Sequence, residues 1–199
     1  MIIINEISFS NITYSAGEKI IINNISFYLK KNAINILVGP NGAGKTSLLE
    51  VLAGIRKTEL DIDNSEILYL NLDYLIFDKL TVKEFIQLII KINQTINYEM
   101  IFFDFKELKI EEFIDTKLEF LSLGQKQKLL ILTGIMSNKQ ILLFDEPYNG
   151  LDKNSKLVLN NLFKKYKKNK TFFFATHDVE IIKNIVDHIV KLNNGVIVE

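Results

Sequence analysis

The sequence predicts an α/β fold with a mostly parallel sheet, antiparallel β strands at the N-terminus and an inserted α-helical lobe. Predominantly apolar runs, such as residues 34–38 and 141–144, are typical of parallel strands that are buried on both faces. Segments of helical periodicity separate these runs, which favours strand–helix alternation. A longer stretch of helical spacing, roughly residues 75–135, interrupts the alternation, and we interpret it as a lobe inserted in the sheet domain.

Each element follows from local periodicity, and the breakers that bound the elements are scarce, since the chain has only two prolines and nine glycines. Ile25, Phe27 and Leu29 recur at every second position, which predicts a strand. Asn194-Gly195 separates two short apolar runs, which predicts a closing hairpin. The predicted strands are residues 2–9, 20–29, 34–38, 67–72, 140–144, 171–175, 189–192 and 196–198. The predicted helices are residues 46–53, 126–136, 154–168 and 179–186, with an amphipathic helix in the lobe that carries Val82, Phe85, Ile86, Ile89 and Ile90.

Composition excludes several classes of function. Apolar residues make up 48% of the chain, which is enough for a full core and excludes intrinsic disorder. There is no cysteine, which excludes disulfide scaffolds and thiol catalysis, and two histidines are too few for a histidine-rich metal site. The 24 basic residues, of which only Arg56 is an arginine, are balanced by 24 acidic residues, so we expect no nucleic-acid partner. The N-terminus lacks the pattern of a signal peptide, and no apolar run is long enough to span a bilayer, so we expect a cytoplasmic chain.

The strongest motif is a glycine-rich segment that follows an apolar strand and precedes a helix. It matches G-x-x-x-x-G-K-[ST], the P-loop or Walker A pattern, in full. Its glycines let backbone N–H groups converge on phosphate oxygens, and the helix N-terminus adds its positive dipole end. Lys45 is expected to reach the β- and γ-phosphates, and the Thr46 hydroxyl to bind Mg²⁺. The predicted phosphate-binding residues are Gly39, Pro40, Asn41, Gly42, Ala43, Gly44, Lys45, Thr46 and Ser47.

A second motif is an apolar strand that ends in two acids. Asp145 is suited to bind Mg²⁺, directly or through water, and Glu146 is placed to polarise an attacking water. The alternative is a solvated strand end. A third segment, Leu121-Ser-Leu-Gly-Gln125, precedes a helix that Ser122 is predicted to cap, and by itself this is an ordinary helix start.

Taken in order, these motifs resemble those of an ATP-binding cassette (ABC) ATPase. The phosphate loop, Leu-Ser-Leu-Gly-Gln, the Asp-Glu-Pro strand, Gly150-Leu-Asp152 and Ala-Thr-His177-Asp follow one another as in that family. The resemblance covers essentially all of the chain and implies a P-loop NTPase core, with residues 1–199 as a single nucleotide-binding domain. It implies ATP and Mg²⁺ as cofactors, and it implies ATP hydrolysis, with Glu146 as general base, His177 as the switch histidine on the γ-phosphate and Lys45 on the phosphates.

The resemblance also implies roles that spacing alone leaves open. Tyr14 matches the aromatic residue that stacks on adenine, whereas without the resemblance it is a tyrosine at a strand end. Ser122, Gly124 and Gln125 match the signature that contacts the γ-phosphate of ATP bound to the opposite subunit. Asp152 matches the loop acid that links the two sites across a dimer.

The chain departs from the family pattern at two positions. Leu123 stands where the signature usually has its first glycine. Leu72 aligns with a glutamine that touches Mg²⁺ and the attacking water, and a leucine side chain offers neither donor nor acceptor. Asn71 or Asp73 would substitute after a slip of one residue.

By this resemblance the chain is the ATP-binding and ATP-hydrolysing subunit of an ABC transporter. It would pair with itself or with a similar subunit and power a separate membrane permease, on the inner face of the cell membrane, through ATP-driven closure of the dimer. Two alternatives stay open: a soluble, non-transport ABC ATPase of the assembly-factor type, and a subunit that binds ATP but hydrolyses it weakly. The transported substrate is not readable from the sequence, and the lack of a C-terminal domain favours export only weakly.

Overall fold

The computed structural model describes residues 5–58, 62–93, 104–177 and 179–198 of the chain. They belong to two compact units. The first unit comprises Met1–Tyr69, Lys139–Glu146 and Lys164–Glu199, and the second comprises Leu70–Asn138 and Pro147–Phe163.

The first unit contains two sheets. The strands are β1 (Glu6–Ala16), β2 (Lys19–Lys30), β3 (Ile34–Val38), β4 (Ile67–Leu70), β5 (Ile141–Asp145), β6 (Thr171–Ala175), β7 (His188–Asn193) and β8 (Val196–Val198). β1 and β2 form an antiparallel pair, and the larger sheet has the order β4-β5-β6-β3-β7-β8. Within it β3 runs parallel to β6 and β7, β5 runs parallel to β6, and only the β7–β8 pair is antiparallel among the registers described. The predicted fold class is therefore confirmed.

The central strands are buried on both faces because nearly all of their residues are apolar. All five residues of β6 are buried, and its three consecutive phenylalanines are fully inaccessible. Phe173 packs into the core that lies against the β1–β2 pair, where its ring stacks on Phe27 with centroids 5.9 Å apart. Phe174 points to the opposite face of the sheet and meets the ring of Phe144 edge-on at 5.6 Å. This explains why β6 reads as a continuous apolar run.

Helix α1 (Lys45–Leu52) packs on the same core and begins directly after the glycine-rich loop. The side of α1 that faces this core carries the buried residues Leu48, Leu49 and Leu52. Their spacing of one, three and four residues places them close together on the helix surface. The predicted helix over residues 46–53 is confirmed to within one residue at each end.

The second unit is helical in its described part. It contains α2 (Val82–Ile92), α3 (Leu123–Met136) and most of α4 (Lys153–Tyr166), with short 3-10 turns at Leu72–Tyr74, Ile110–Phe113 and Leu118–Phe120. Thr81 caps α2 and forms a reciprocal capping box with Glu84. The predicted helical spacing across residues 94–103 lies outside the described residues.

Several predicted boundaries differ from the structure. β1 continues to Ala16, well beyond its predicted end at residue 9, and α3 begins at Leu123 rather than at residue 126. β4 ends at Leu70 because the Asn71 side chain caps a 3-10 turn. Helix α5 covers only Val179–Ile182, since Asp187 already donates its backbone N–H to Ile34 and leads into β7. β1 begins at Glu6, and residues 2–4 of the predicted first strand lie outside the described residues. None of the helices in the described ranges has the length and hydropathy needed to cross a bilayer.

Candidate functional site

The predicted phosphate, metal and base residues of the first unit lie at the carboxyl ends of three neighbouring strands. β3 leads into the glycine-rich loop, β5 ends at Asp145, and β6 is followed by Thr176 and His177. Because these strands are parallel, their carboxyl ends meet at one edge of the sheet, where open α/β sheets bind their ligands. Residues separated by more than a hundred positions in the chain, such as Lys45 and His177, therefore lie at one edge of the sheet.

The glycine-rich loop is packed closely against the β7–β8 hairpin. A Cβ added to Gly39 would lie 2.0 Å from the carbonyl oxygen of Leu192, so no other residue fits there. Gly195, in the hairpin turn, donates its backbone N–H to the carbonyl of Ala43 at 3.1 Å. The loop backbone is thus held from the sheet side while Pro40, Asn41 and Gly42 are exposed.

Lys45 folds back across this loop. Its Nζ donates to the carbonyl oxygens of Gly39, at 2.8 Å, and Pro40, at 3.1 Å. The ammonium group therefore lies within the curve of the backbone, where the charge of a phosphate would be attracted to it. Lys45 is also the first residue of α1, so the helix N-terminus is directed at the same place.

The predicted metal residues contact each other directly. The Thr46 hydroxyl donates to Oδ2 of Asp145 at 2.6 Å, and the Tyr69 hydroxyl lies 3.5 Å from the same oxygen. Burial raises the pKa of Asp145, and the neighbouring charge of Glu146 adds to this, whereas the Thr46 hydrogen bond opposes it. A hydroxyl and a half-buried carboxylate are hard oxygen ligands, so the pair fits Mg²⁺. Histidine, aspartate and glutamate form no cluster of three or more that would suit another metal among the described residues.

Glu146 has an unusual backbone and a well-supported side chain. Its φ is +50°, which a residue other than glycine adopts at a cost of about 1–3 kcal/mol, and its N–H donates to Ala175 at 2.9 Å. One carboxylate oxygen accepts from the Thr176 hydroxyl at 3.1 Å. The other accepts from the backbone N–H of His177 at 3.2 Å and lies 2.7 Å from that residue's ring Nδ1. Strain of this kind commonly marks a functional position.

Tyr14 lies on β1 opposite Ile22 of β2. Ile22 in turn touches the phosphate loop, since a Cβ on Gly44 would lie 2.9 Å from its Cδ1. The half-buried ring of Tyr14 therefore belongs to the strand pair that borders the loop. Its hydroxyl accepts a hydrogen bond from Arg56 at 2.7 Å.

In the second unit, the signature-like segment forms the start of α3. Ser122 is the N-cap, and it exchanges hydrogen bonds with Gln125: the Ser122 N–H donates to the Gln125 side chain at 2.9 Å, and the Gln125 N–H donates to the Ser122 hydroxyl at 3.3 Å. A Cβ on Gly124 would lie 2.6 Å from the carbonyl oxygen of Gly150. The side chain of Leu123 lies against Gly150, 2.7 Å from where a Cβ on that residue would be. Packing within this unit is thus enough to require glycine at position 124.

Asp152 directly precedes α4. Its carboxylate accepts from the backbone N–H and from the hydroxyl of Ser155, both at 2.9 Å. These hydrogen bonds lower the pKa of Asp152. The Asp152 side chain therefore caps α4, and its role across a dimer stays a prediction.

Leu72 begins the 3-10 turn that follows β4 and is half-buried. Asn71 caps this turn, because its side-chain oxygen accepts the backbone N–H of Asp73 at 2.9 Å. The amide oxygen of Asn71 is therefore engaged locally, whereas Asp73 is exposed.

Three side chains that touch the predicted site residues were not predicted from the sequence. Thr176 contacts Glu146, Tyr69 lies near Asp145, and Arg56 contacts Tyr14. The contact of Thr176 could have been predicted from the sequence, since it is a polar residue directly after a buried strand and beside a predicted site residue. The contacts of Tyr69 and Arg56 could not, because their partners are distant in the chain.

Comparison with known proteins gives a consistent result. The model of the ABC transporter family matches residues 22–149. The zinc import ATP-binding protein ZnuC of Rickettsia conorii is 36% identical over 202 residues, which cover 96% of this chain and 84% of that protein. The phosphonates import ATP-binding protein PhnC of Fusobacterium nucleatum is 29% identical over 220 residues, covering 95% and 89%. A crystal structure of a nucleotide-free ATP-binding cassette from an ABC transporter matches with a TM-score of 0.80 at 25% identity, covering 98% of this chain and 90% of that one.

Proposed function

Since the chain belongs to the ABC transporter family, as an ATP-binding subunit that hydrolyses ATP, we propose that it powers a separate membrane permease through ATP-driven closure of a dimer. The observation that carries the proposal is the contact between Thr46 and Asp145, with Lys45 and Glu146 beside them at one edge of the sheet. This arrangement supports a triphosphate site with a general base beside it, which is what ATP hydrolysis requires.

Nucleotide binding is assigned to the loop and to the neighbouring strand pair. The backbone of residues 39–44 and the ammonium of Lys45 hold the phosphates, and Ser47 lies one turn into the helix N-terminus. Tyr14 stacks on the adenine ring, a role supported by its place on the strand that borders the loop. Asn41 is exposed in this loop, and the backbone N–H of Ala43 donates to the carbonyl of Pro40 at 3.2 Å, so Ala43 helps to hold the curve of the loop.

We assign Mg²⁺ to Thr46 and Asp145, the hydroxyl and carboxylate whose oxygen chemistry suits it. When bound, the ion supplies positive charge that neutralises the phosphate oxygens during transfer. Burial raises the pKa of the Asp145 carboxyl, and a bound cation would oppose this shift by stabilising the charged form.

Glu146 is assigned as the general base. Its carboxylate accepts hydrogen bonds from Thr176 and from the backbone of His177, which orient the remaining lone pairs towards an attacking water. The water loses a proton to Glu146 as its oxygen attacks the γ-phosphorus and ADP leaves. His177 is assigned to the γ-phosphate: its side chain is 65% exposed, and its ring Nδ1 lies 2.7 Å from the carboxylate of the proposed base.

We propose residues 1–199 as one nucleotide-binding domain, with the helical lobe at roughly residues 75–135. The dimer is inferred because Lys45 and Ser122 lie in different compact units and because the family pattern gives Ser122, Gly124 and Gln125 to the nucleotide of a second subunit. Asp152 would link the two sites. The partner copy is either this chain or a similar ATPase subunit.

The relatives named above are import proteins, for zinc and for phosphonates, so we propose import as the direction of transport. These relatives offer no support for the weak expectation of export. The chain would lie in the cytoplasm, on the inner face of the cell membrane, held there by its permease.

Fractionation of cells that express the chain tests the transport assignment. We expect to find the chain in the membrane fraction, in complex with an integral membrane protein. Because the chain would be bound only peripherally, it should come off the membrane without detergent. Recovery in a cytosolic complex with a scaffold protein would instead support the assembly-factor alternative. For the dimer, Glu146→Gln should elute at twice the monomer mass in MgATP, and the same variant carrying Lys45→Ala, as the control, should not.

A further inference from the structure

The one arginine of the chain contacts the tyrosine that is assigned to adenine. Arg56 follows α1 by four residues, and its Nη1 donates to the Tyr14 hydroxyl at 2.7 Å. Its guanidinium carbon lies over the Tyr14 ring, 5.3 Å from the centroid. Arg56 therefore contacts Tyr14 twice, through the hydroxyl and through the ring, although the two residues are 42 positions apart.

Arg56 is itself anchored to the helix that begins at the phosphate loop. Its Nε donates to the carboxylate of Glu50, which lies on α1 and is only 7% exposed. The backbone carbonyl of Glu50 also accepts from the N–H groups of Ile55, at 2.9 Å, and Arg56, at 3.3 Å. The hydrogen bonds to Tyr14 and Glu50 raise the pKa of Arg56, so the guanidinium stays charged. Glu50, Arg56 and Tyr14 form a chain of contacts from α1 to the ring.

The backbone of β1 leaves the Tyr14 ring in need of such support. The β1–β2 register shifts on both sides of Tyr14, between Ile12 and Tyr14 and again between Tyr14 and Ser15. Irregular pairing of this kind re-aims a side chain and weakens its support from the neighbouring ladder. Tyr14 also packs against the hydrophobic core, so Arg56 and the core together determine where the ring lies.

We propose that Arg56 is a positioning residue that holds Tyr14 as the platform for a nucleotide base; the proposal rests on the assignment of ATP to this site. The planar guanidinium supplies two directed donors, one for Glu50 and one for Tyr14, which a lysine ammonium does not reproduce. Arg56 touches Tyr14 and not the phosphate loop, so its effect falls on the base and leaves the phosphates of the nucleotide unaffected.

The test compares the binding of ATP with the binding of inorganic tripolyphosphate, which lacks the base, by calorimetry at fixed Mg²⁺ and ionic strength. Arg56→Met should weaken ATP binding by about two- to tenfold, the range expected when one side chain loses its fixed position, and leave tripolyphosphate binding unchanged. Arg56→Lys, which keeps the charge, should lose as much. Lys57→Met, which removes the same charge from the exposed neighbouring residue, is the matched control and should change neither.

Two tyrosine variants complete the design. Tyr14→Phe removes only the hydroxyl that Arg56 contacts, so it should weaken ATP binding, and Arg56→Met should add little to it. Tyr14→Ala should abolish the preference for ATP over tripolyphosphate. If it does not, the adenine assignment is wrong and the proposal falls with it. If Tyr14→Ala behaves as expected but Arg56→Met leaves ATP binding unchanged, or weakens tripolyphosphate equally, the positioning role alone is overturned.

Discussion

The ring Nδ1 of His177 lies 2.7 Å from a carboxylate oxygen of Glu146, and the His177 backbone N–H donates to that same oxygen at 3.2 Å. Thr176 donates to the second oxygen at 3.1 Å. The proposed base is thus contacted by two consecutive residues at the end of β6, whereas Glu146 itself follows β5. Because these groups share hydrogen bonds, the effects of changing them should be coupled rather than additive.

Replacing Glu146 by glutamine should lower kcat by about 10²–10⁴-fold, since the amide does not take a proton from water. The dissociation constant for ATP should stay near that of the parent, because Glu146 does not contact the phosphate loop in the structure. His177→Ala should also lower kcat, yet add little in the Glu146→Gln background. Steady-state kinetics and equilibrium binding of the two single variants and the double variant check this. Hydrolysis by Glu146→Gln at the parent rate would remove the base assignment.

Thr176→Val should lower kcat with little change in KM. Thr176 is 1% exposed, and valine has its shape but not the hydroxyl that donates to Glu146. A hydrogen bond to a charged group contributes about 1.5–3 kcal/mol, so the expected loss is roughly 10- to 100-fold. Thr176→Ser, which restores the hydroxyl, is the control and should recover most of the rate. Equal losses in the two variants would mean that packing, and not the donor, matters at this position.

Lys45→Ala should act mainly on nucleotide affinity. It removes the ammonium that lies within the loop, and loss of one charged hydrogen-bond donor should weaken ATP binding by roughly 10- to 100-fold. Lys31→Ala, at an exposed turn, removes an equal charge and should leave affinity unchanged. Calorimetric titration with ATP distinguishes the two. An unchanged affinity in Lys45→Ala, with kcat reduced, would confine the role of this lysine to catalysis.

Leu72→Gln should raise basal ATP hydrolysis. By the family resemblance, Leu72 stands where a glutamine would contact the attacking water. Its side chain has no hydrogen-bonding atom, so we expect that contact to be lost or to be made by a neighbouring residue. The gain should stay within the roughly 10²-fold that misplacement of a reacting group costs. Asn71→Ala and Asp73→Ala are the companion variants, and the first also removes the cap of the turn. If Leu72→Gln leaves turnover unchanged while Asp73→Ala abolishes it, Asp73 is the functional residue.

The stability of the fold should depend on the charge of Lys170. Burial lowers the pKa of Lys170 to about 8, with the charge of Glu66 opposing the shift. Above pH 8, and up to the ordinary lysine pKa of about 10.4, the unfolded chain binds a proton that the folded chain does not. The contribution of Lys170 to the free energy of unfolding therefore rises with pH through this window, and below it the penalty for burying the charge is complete.

Urea unfolding of Lys170→Met between pH 7 and pH 11 measures this contribution. The variant should lack a rise in stability that the parent shows, on the order of 1–3 kcal/mol across the window. Lys168→Met, at an exposed position two residues before Lys170, should keep the parent's profile. Identical profiles for the parent and Lys170→Met would mean that the folded chain does not keep Lys170 buried when it is charged.

Much of the fold could be predicted because buried strands and helix caps depend mainly on residues that are adjacent in the chain. The strand at β6 and the N-cap at Ser122 are examples, and both were predicted, whereas the reciprocal hydrogen bond from Ser122 to Gln125 was not. The boundaries at Leu70 and Ile182 were less predictable, because each depends on a hydrogen bond that competes locally with the regular element. Asn71 illustrates this, since its side chain draws the chain into a turn that no apolar pattern records.

The sequence by itself determined which chemical groups this protein has and their order, because the phosphate loop and the acidic strand end are local motifs whose meaning depends only on adjacent residues. Only the tertiary structure decided which of these groups meet. Thr46 and Asp145 lie 99 residues apart, and Arg56 lies 42 residues from Tyr14. Such contacts follow from the order of strands in the sheet and from the place of α1 against it. That order is set by packing of the whole core, which no local pattern specifies.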